Sequence, residues 1–299
     1  MFLIINYFRL ILRVAFLVLT ERAVLRLAQS RKGPNIVRPW GVIQCVTDRV
    51  KLITKRRISL TPTSVILYSI SPILLTILTI VLICVCPIPL SISFYRYNIL
   101  LIFRILSLIS LPFILLRFSY RSVYSTIRAV RVVRLIISYE ILLLLLILFF
   151  KGSFRSWNWI TSVDNTLSTS NFNSRCLFII PILVLWLIEL RRTPFDLAER
   201  ESELVSRFNV EYRGWRFLFF FFSEILCLLT ISLMFSVLIC QVRRFLKISF
   251  CILIFVLLSL YIRAALPRFR LLDTQNYVWF RLTPWIIFFR CLTILISSV

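Results

Sequence analysis

The chain has 299 residues, 60% of which are hydrophobic, and it carries a formal net charge of +24 at pH 7. A soluble domain of this length buries too little surface to hide so much apolar area, so the composition excludes that class and favours a membrane protein. The basic residues are divided among short loops between apolar segments, which indicates topology signals and not a nucleic-acid-binding surface.

The sequence contains no histidine, and its eight cysteines form no CxxC pair. The usual axial ligand of haem and the commonest zinc ligand are therefore missing, and the cysteines lack the spacing of an iron–sulfur site. We predict that the chain binds no metal and no redox cofactor of its own. Any redox centre then belongs to another subunit.

Apolar segments recur along the whole chain, and a membrane-spanning helix needs about 20 mostly apolar residues. Eight segments meet or approach this length: Phe2–Leu19, Val65–Ile88, Leu100–Phe118, Val132–Phe150, Leu177–Leu190, Phe217–Cys240, Ile248–Ala265 and Leu282–Ile296. They predict an all-α, polytopic integral membrane protein with eight transmembrane helices, folded as a single domain over residues 1–299.

Basic residues are unevenly distributed between the loops. Those after the second, fourth and sixth spans contain seven: Arg96, Lys151, Arg155, Arg175, Arg243, Arg244 and Lys247. The loops after the odd-numbered spans contain about three times as many. Under the positive-inside rule, the odd loops face the cytoplasm or the mitochondrial matrix, and both termini face the opposite side.

The first of these basic loops, at about 21–63, contains an amphipathic segment. Its apolar residues recur with helical spacing at Ile43, Val46, Val50 and Ile53, and its polar face holds Gln44, Asp48, Lys51 and Lys55. This pattern predicts a helix at about 42–55 that lies in the membrane interface. Periodicity alone favours a lipid-surface anchor without a further role.

Two carboxylates fall within or beside apolar spans, at Glu140 and Glu224. An ionised carboxylate at mid-bilayer costs ~2–3 kcal/mol, so such a residue faces a wet cavity, pairs with a cation or stays protonated. All three situations are typical of residues that transfer protons or ions, and we therefore predict a functional role for Glu140 and Glu224. The structural alternative for Glu140 is a salt bridge with Arg131, Arg134 or a neighbouring helix.

An acidic loop follows the fifth span, at about 191–216. This loop and the residue just before it contain six of the twelve carboxylates: Glu189, Asp196, Glu199, Glu201, Glu203 and Glu211. Arginines alternate with the acids, and apolar residues such as Phe195 and Phe208 lie among them. The pattern favours a folded, partly buried polar network over a solvated acidic surface.

Five segments of the chain resemble a known family. They are VAFLVLTER (Val14–Arg22), QSRKGPNIVRPWGVIQCVTDRVKLITK (Gln29–Lys55), IRAVRVVRLIISYE (Ile127–Glu140), RRTPFDLAERESELVSRFNVEY (Arg191–Tyr212) and IRAALPRFR (Ile262–Arg270). Their order and spacing are similar to those of NADH dehydrogenase subunit 1, the quinone-site membrane subunit of respiratory complex I. The resemblance covers nearly the whole chain.

The resemblance implies a subunit of proton-pumping NADH:ubiquinone oxidoreductase with eight helices, in the mitochondrial inner membrane rather than a bacterial plasma membrane. Such a subunit binds no cofactor itself. Ubiquinone is the substrate, and NADH, FMN and the iron–sulfur clusters belong to partner subunits. The implied partners are other complex I membrane subunits, hydrophilic quinone-site subunits of the peripheral arm, ubiquinone and lipid, with no nucleic acid.

The resemblance also assigns residues to two regions. Those of the quinone chamber are Glu21, Arg22, Arg31, Asp48, Arg192, Phe195, Asp196 and Phe208. Those of the proton-coupling path are Glu140, Glu189, Glu199, Glu201, Glu203, Glu211 and Glu224. Arginines replace the family's usual glycines at Arg38, Arg128, Arg200 and Arg207. A long cationic side chain clashes where two backbones approach closely. We therefore expect that the chamber wall is packed differently, or that accessory subunits or lipid accommodate the extra charge.

Three other functions remain to be distinguished. A stand-alone proton or cation transporter usually has internal repeats or helices broken by glycine and proline, whereas this chain has four glycines and no visible repeat. The equivalent subunit of a membrane-bound hydrogenase or of a plastid dehydrogenase shares the motifs. A purely structural anchor for a peripheral arm would not require Glu140 for activity.

Overall fold

A computed structural model describes residues 2–30, 44–54, 65–86, 98–119, 130, 133–134, 137–148, 181–190, 192–195, 214–240, 245–267 and 269–298. These residues form helices and short connections, and no β-strand occurs among them. The predicted helical class is therefore confirmed for this part of the chain.

Helices occupy all eight of the predicted apolar segments. In chain order they are α1 (Phe2–Ala28), α2 (Gln44–Thr54), α3 (Val65–Val85), α4 (Asn98–Leu108), α5 (Ser110–Ser119), α6 (Ile137–Leu148), α7 (181–189), α8 (Trp215–Cys240), α9 (Phe245–Ala265), α10 (Leu271–Asn276), a π-helix (Tyr277–Leu282) and α11 (Thr283–Ser298). The third segment is divided between α4 and α5 at Ile109, and the helical structure of the eighth begins earlier than hydropathy predicted.

Length and hydropathy distinguish two of these helices. Within the described ranges, Ile66–Val85 and Trp215–Ser236 are long and apolar enough to cross a bilayer. The apolar helices Ile99–Pro112, Ile137–Leu148 and Ser249–Ala265 are shorter. Eight crossings stay a prediction.

The core forms around α8. Helix α8 packs against both α3 and α9, α3 also contacts α4 and α5, and α1 contacts α9. Trp186 of α7 is fully buried, and its ring meets that of Phe255 of α9 edge-on, with 5.1 Å between centroids. Packing against the central helices thus orders the ends of α1 and α7, which carry predicted site residues.

Hydroxyl side chains inside the apolar helices are satisfied locally. Many of the serine and threonine side chains donate a hydrogen bond to a carbonyl three or four residues earlier, as Thr79 does to Thr76, Ser223 to Phe220 and Ser259 to Val256. Local pairing of this kind avoids the cost of placing an unsatisfied polar group in an apolar environment. It lets these helices carry serine and threonine without a hydrophilic surface.

Helix α3 is apolar on its outer face as well as its inner one. Its exposed residues recur at helical spacing: Ile66, Ile70, Ile73, Ile77 and Val81. The opposite face contributes Tyr68, Leu75 and Leu82 to the core. A helix that is apolar all round suits a hydrocarbon environment, because in water this stripe would form an unfavourable exposed patch.

Candidate functional site

A buried carboxylate at the end of α1 receives two arginines from distant parts of the chain. Arg192 Nη1 donates to Glu21 Oε1 at 2.9 Å, and Arg263 Nη1 donates to the same oxygen. Glu21 is 9% exposed and Arg192 is 8% exposed, whereas Arg263 is more accessible. We call these three residues the ion-paired centre.

The positions of the three residues explain why they pair. Glu21 lies in the second-last turn of α1, Arg192 follows α7, and Arg263 lies in the last turn of α9, where a cation also interacts favourably with the helix dipole. A charge is costly in such a buried position unless it is paired and hydrogen-bonded. The ion-paired centre therefore fixes the ends of three helices relative to one another.

A tight turn places an aromatic side chain beside the ion-paired centre. The backbone N–H of Phe195 donates to the Arg192 carbonyl at 2.8 Å, and that of Phe269 donates to the Pro194 carbonyl at 3.1 Å. The rings of Phe195 and Phe269 also pack together, with centroids 5.5 Å apart. Residues 192–195 thus link α1 to the segment after α9, and they bring apolar ring surface to the charged site.

Helix α2 is held against α1 by its polar face. Arg22 Nη1 donates to Asp48 Oδ2 at 2.9 Å, in a pair that is more exposed than the ion-paired centre. The apolar residues Val46, Val50 and Ile53 are all more than half exposed. Helix α2 therefore turns its apolar stripe outward, in the orientation expected of an interfacial helix that meets lipid.

The first turns of α3 and α8 also meet at a charged contact. The Arg216 guanidinium lies 4.6 Å from the centroid of the buried Tyr68 ring and 5.4 Å from that of Trp215. Gly214, which precedes α8, has φ 69°, a left-handed conformation that glycine adopts without a side-chain clash. Because the cation–π contact joins the two first turns, α3 and α8 begin at the same end of the molecule.

The acids predicted for the proton path lie on separate helices. Glu140 of α6, Glu189 of α7 and Glu224 of α8 are all half-buried. Glu189 lies within electrostatic range of the Tyr139 hydroxyl, so α6 and α7 approach each other beside two of these acids. Among the ion pairs of the described residues, none joins Arg134 to Glu140.

The structure brings five of the predicted chamber residues into two groups. Arg192 contacts both Glu21 and Phe195, and Arg22 contacts Asp48. The remaining predicted site residues lie outside the described part of the chain: Arg31, Asp196, Glu199, Glu201, Glu203, Phe208 and Glu211. The same holds for the four arginines at usual glycine positions. The predicted roles of all these residues stay predictions.

Sequence reasoning did not assign Arg263 or Phe269 to the site. Arg263 carried a usable signal, since a cation at the end of an apolar helix needs an anionic partner or water. Phe269 lies within Ile262–Arg270, one of the segments that resemble the family, but nothing in that segment distinguished its ring from a surface aromatic residue. In the described ranges, no group of three or more His, Cys, Asp or Glu side chains is placed to hold a metal ion.

These features define a helical protein with outward-facing apolar residues, whose helix ends are joined by buried charge. A model of the NADH dehydrogenase family matches residues 1–294, and the chain belongs to that family.

Relatives named NADH-ubiquinone oxidoreductase chain 1 resemble the chain along most of its length. That of Patiria pectinifera is 34% identical over 310 residues, which cover 97% of this chain and 93% of the relative. That of Bradypus variegatus is 36% identical, with coverages of 92% and 89%. That of Paracentrotus lividus is also 36% identical, with coverages of 96% and 91%.

Proposed function

We propose that the chain is the quinone-site membrane subunit of a proton-pumping NADH:ubiquinone oxidoreductase in the mitochondrial inner membrane. Its family membership and its likeness to proteins named NADH-ubiquinone oxidoreductase chain 1 support this function. The structural observation that carries the site is the ion-paired centre, because it gathers the ends of α1, α7 and α9 around one buried carboxylate.

The proposal includes eight membrane crossings. The helices on all eight apolar segments and the outward-facing apolar stripe of α3 support it. The ion-paired centre also supports the predicted orientation, because it joins the ends of the first, fifth and seventh spans. With eight crossings, these ends lie on the side of the odd-numbered loops, which is the matrix side in mitochondria.

We assign the ion-paired centre and the neighbouring Phe195 ring to the chamber that receives ubiquinone. Ubiquinone takes up two electrons and two protons when it is reduced. In the overall reaction, NADH, H⁺ and ubiquinone give NAD⁺ and ubiquinol. The electrons come from partner subunits. One carboxylate and two guanidiniums leave a net positive charge, which stabilises negative charge on a quinone head group that gains electrons before protons. Phe195 and Phe269 offer apolar surface to the ring.

The half-buried acids provide the proposed route from this chamber into the membrane. Glu189 lies three residues before Arg192 of the ion-paired centre, and α7 approaches α6, which bears Glu140. A change of charge at the head group shifts the proton affinity of nearby carboxylates, and these in turn affect acids further along. Glu224 of α8 extends the series toward neighbouring subunits.

The partner assignment predicts what an affinity-tagged chain brings with it from solubilised membranes. We expect stoichiometric flavin and iron–sulfur clusters, measured by fluorescence and electron paramagnetic resonance, together with inhibitor-sensitive NADH:ubiquinone reductase activity. A tagged, unrelated inner-membrane protein provides the background. A stand-alone transporter would purify without flavin and clusters, and that result would refute the proposal.

The topology predicts opposite sides for two engineered cysteines. Gln29→Cys lies at the exposed end of α1, and Asn165→Cys lies in the loop after the fourth span. In sealed inner-membrane vesicles, an impermeant maleimide is expected to label one of them and to reach the other only after permeabilisation. The parent chain measures labelling of the native cysteines. Labelling of both from the same side would exclude eight crossings in this orientation.

A further inference from the structure

A cavity of about 880 Å³ lies between α5, α6 and the segment that leads into α11, and its described lining includes no residue of the ion-paired centre. Its lining residues include Arg134, Ile137, Gln275, Asn276, Trp279 and Phe280. None of them was assigned to the quinone chamber or the proton path. The volume falls within the roughly 300–1,000 Å³ that is usual for small-molecule sites.

The lining of this cavity is amphipathic. Apolar side chains supply most of the surface, and several of them are exposed, with Phe280 77% and Ile137 56% accessible. Arg134, Gln275 and Asn276 supply hydrogen-bond donors, and none of the lining residues that the structure describes is a carboxylate. Arg134 is exposed and forms no ion pair with any of the described residues. The described lining of the cavity thus combines an apolar surface with the positive charge of Arg134.

An unusual backbone forms one wall. The π-helix Tyr277–Leu282 is continuous with α10 and α11, and the Thr283 N–H donates to the Val278 carbonyl five residues earlier. Such wide turns are rare and frequently occur at functional sites. Here the π-helix contributes Trp279 and Phe280, while Gln275 and Asn276 directly precede it. One continuous segment therefore presents amide and aromatic groups to the same cavity.

We propose that this cavity binds an anionic phospholipid. Its phosphate accepts hydrogen bonds from Arg134 and from the amides of Gln275 and Asn276, while an acyl chain lies along Ile137 and Phe280. Arginine suits phosphate recognition, and basic pockets between transmembrane helices on the matrix side are a general setting for anionic lipid. A neutral quinone would not balance the positive charge of the Arg134 guanidinium. A helix of a partner subunit would need a groove that runs along the depth of the membrane, whereas this cavity is local.

Photoactivatable lipids test this assignment on the whole assembly. The purified complex is reconstituted into phosphatidylcholine vesicles that contain a minor fraction of diazirine-tailed phosphatidylglycerol or, separately, diazirine-tailed phosphatidylcholine. We expect the anionic probe to label peptides containing Gln275–Phe280 about tenfold more than the zwitterionic probe, as expected from a charge-assisted hydrogen bond. This comparison uses the unaltered protein, so it does not depend on a variant that folds.

Two variants test whether Arg134 is the charged residue that selects the anionic lipid. Arg134→Gln is expected to abolish the preference for the anionic probe, whereas Arg104→Gln, which removes an exposed arginine of α4 outside the cavity, retains it. Equal labelling by both probes would overturn the proposal. So would displacement of the anionic probe by a short-chain ubiquinone, or a crosslink from a photoreactive residue at Phe280 to another polypeptide instead of lipid. The outcome is independent of where quinone is reduced, because it is read from lipid labelling.

Discussion

Replacing Glu21 with glutamine is expected to lower the amount of assembled complex and to reduce its NADH:ubiquinone reductase rate at least about tenfold. The variant retains the side-chain shape but leaves the guanidiniums of Arg192 and Arg263 without their carboxylate. Loss of one partner from a buried ion pair costs about 3–5 kcal/mol, which is more than two factors of ten in an equilibrium constant. Native gel electrophoresis measures assembly, and quinone reduction is measured per assembled complex.

A second ion pair of the same length provides the control for stability. Asp48→Asn breaks the Arg22–Asp48 pair, which also measures 2.9 Å but is far more exposed. Exposed pairs contribute about 0–1 kcal/mol, so the amount of assembled complex should change little. NADH oxidation by an artificial acceptor should persist in whatever complex assembles. If the two variants assemble equally well, the ion-paired centre does not stabilise this end of the molecule.

Glu140→Gln is expected to abolish quinone-linked proton pumping and to lower the rate of ubiquinone reduction about a hundredfold, the lower end of the effect of removing a proton-transferring group. The amide cannot take up or release a proton at physiological pH, while its size hardly changes the packing of α6. Proton uptake into proteoliposomes and ubiquinone reduction should therefore fall together. Oxidation of NADH by an artificial acceptor should be unaffected, since it bypasses the membrane subunit.

Two further variants separate charge loss from proton transfer. Asp273→Asn removes the same charge from an exposed position on α10 and should pump normally. Glu140→Asp keeps a titratable group and should retain part of the activity. An assembled Glu140→Gln complex that pumps at the normal rate would contradict the role in proton transfer and would favour a structural anchor.

Helix positions could be predicted because their cause is local. A run of apolar residues such as that of α3 or α8 favours burial in lipid or in the core wherever the rest of the chain lies. Its hydropathy can be read from one window of sequence. The turn at Ile109 and the π-helix were missed because continuous hydropathy does not reveal a change in backbone hydrogen bonding. Helix α2 was located by its period, but its polar contact with Arg22 lies outside its own sequence.

The site could be predicted only in part because its contacts are not local. Glu21 and Arg192 were assigned to the chamber through the resemblance to the family, yet nothing in the sequence specified that they share an ion pair with Arg263. No sequence pattern indicated the cavity beside Arg134. Three elements form it, and tertiary packing brings them together.

The ion-paired centre also constrains the order in which the molecule is completed. The ribosome makes Glu21 first, Arg192 follows 171 residues later, and Arg263 follows 242 residues after Glu21. Helix α1 therefore enters the insertion machinery or the bilayer before the two arginines that pair with Glu21 have been synthesised. Closure of this end of the molecule becomes possible only when synthesis has passed α9, so a quality-control protease that recognises the open form would distinguish truncated chains from finished ones.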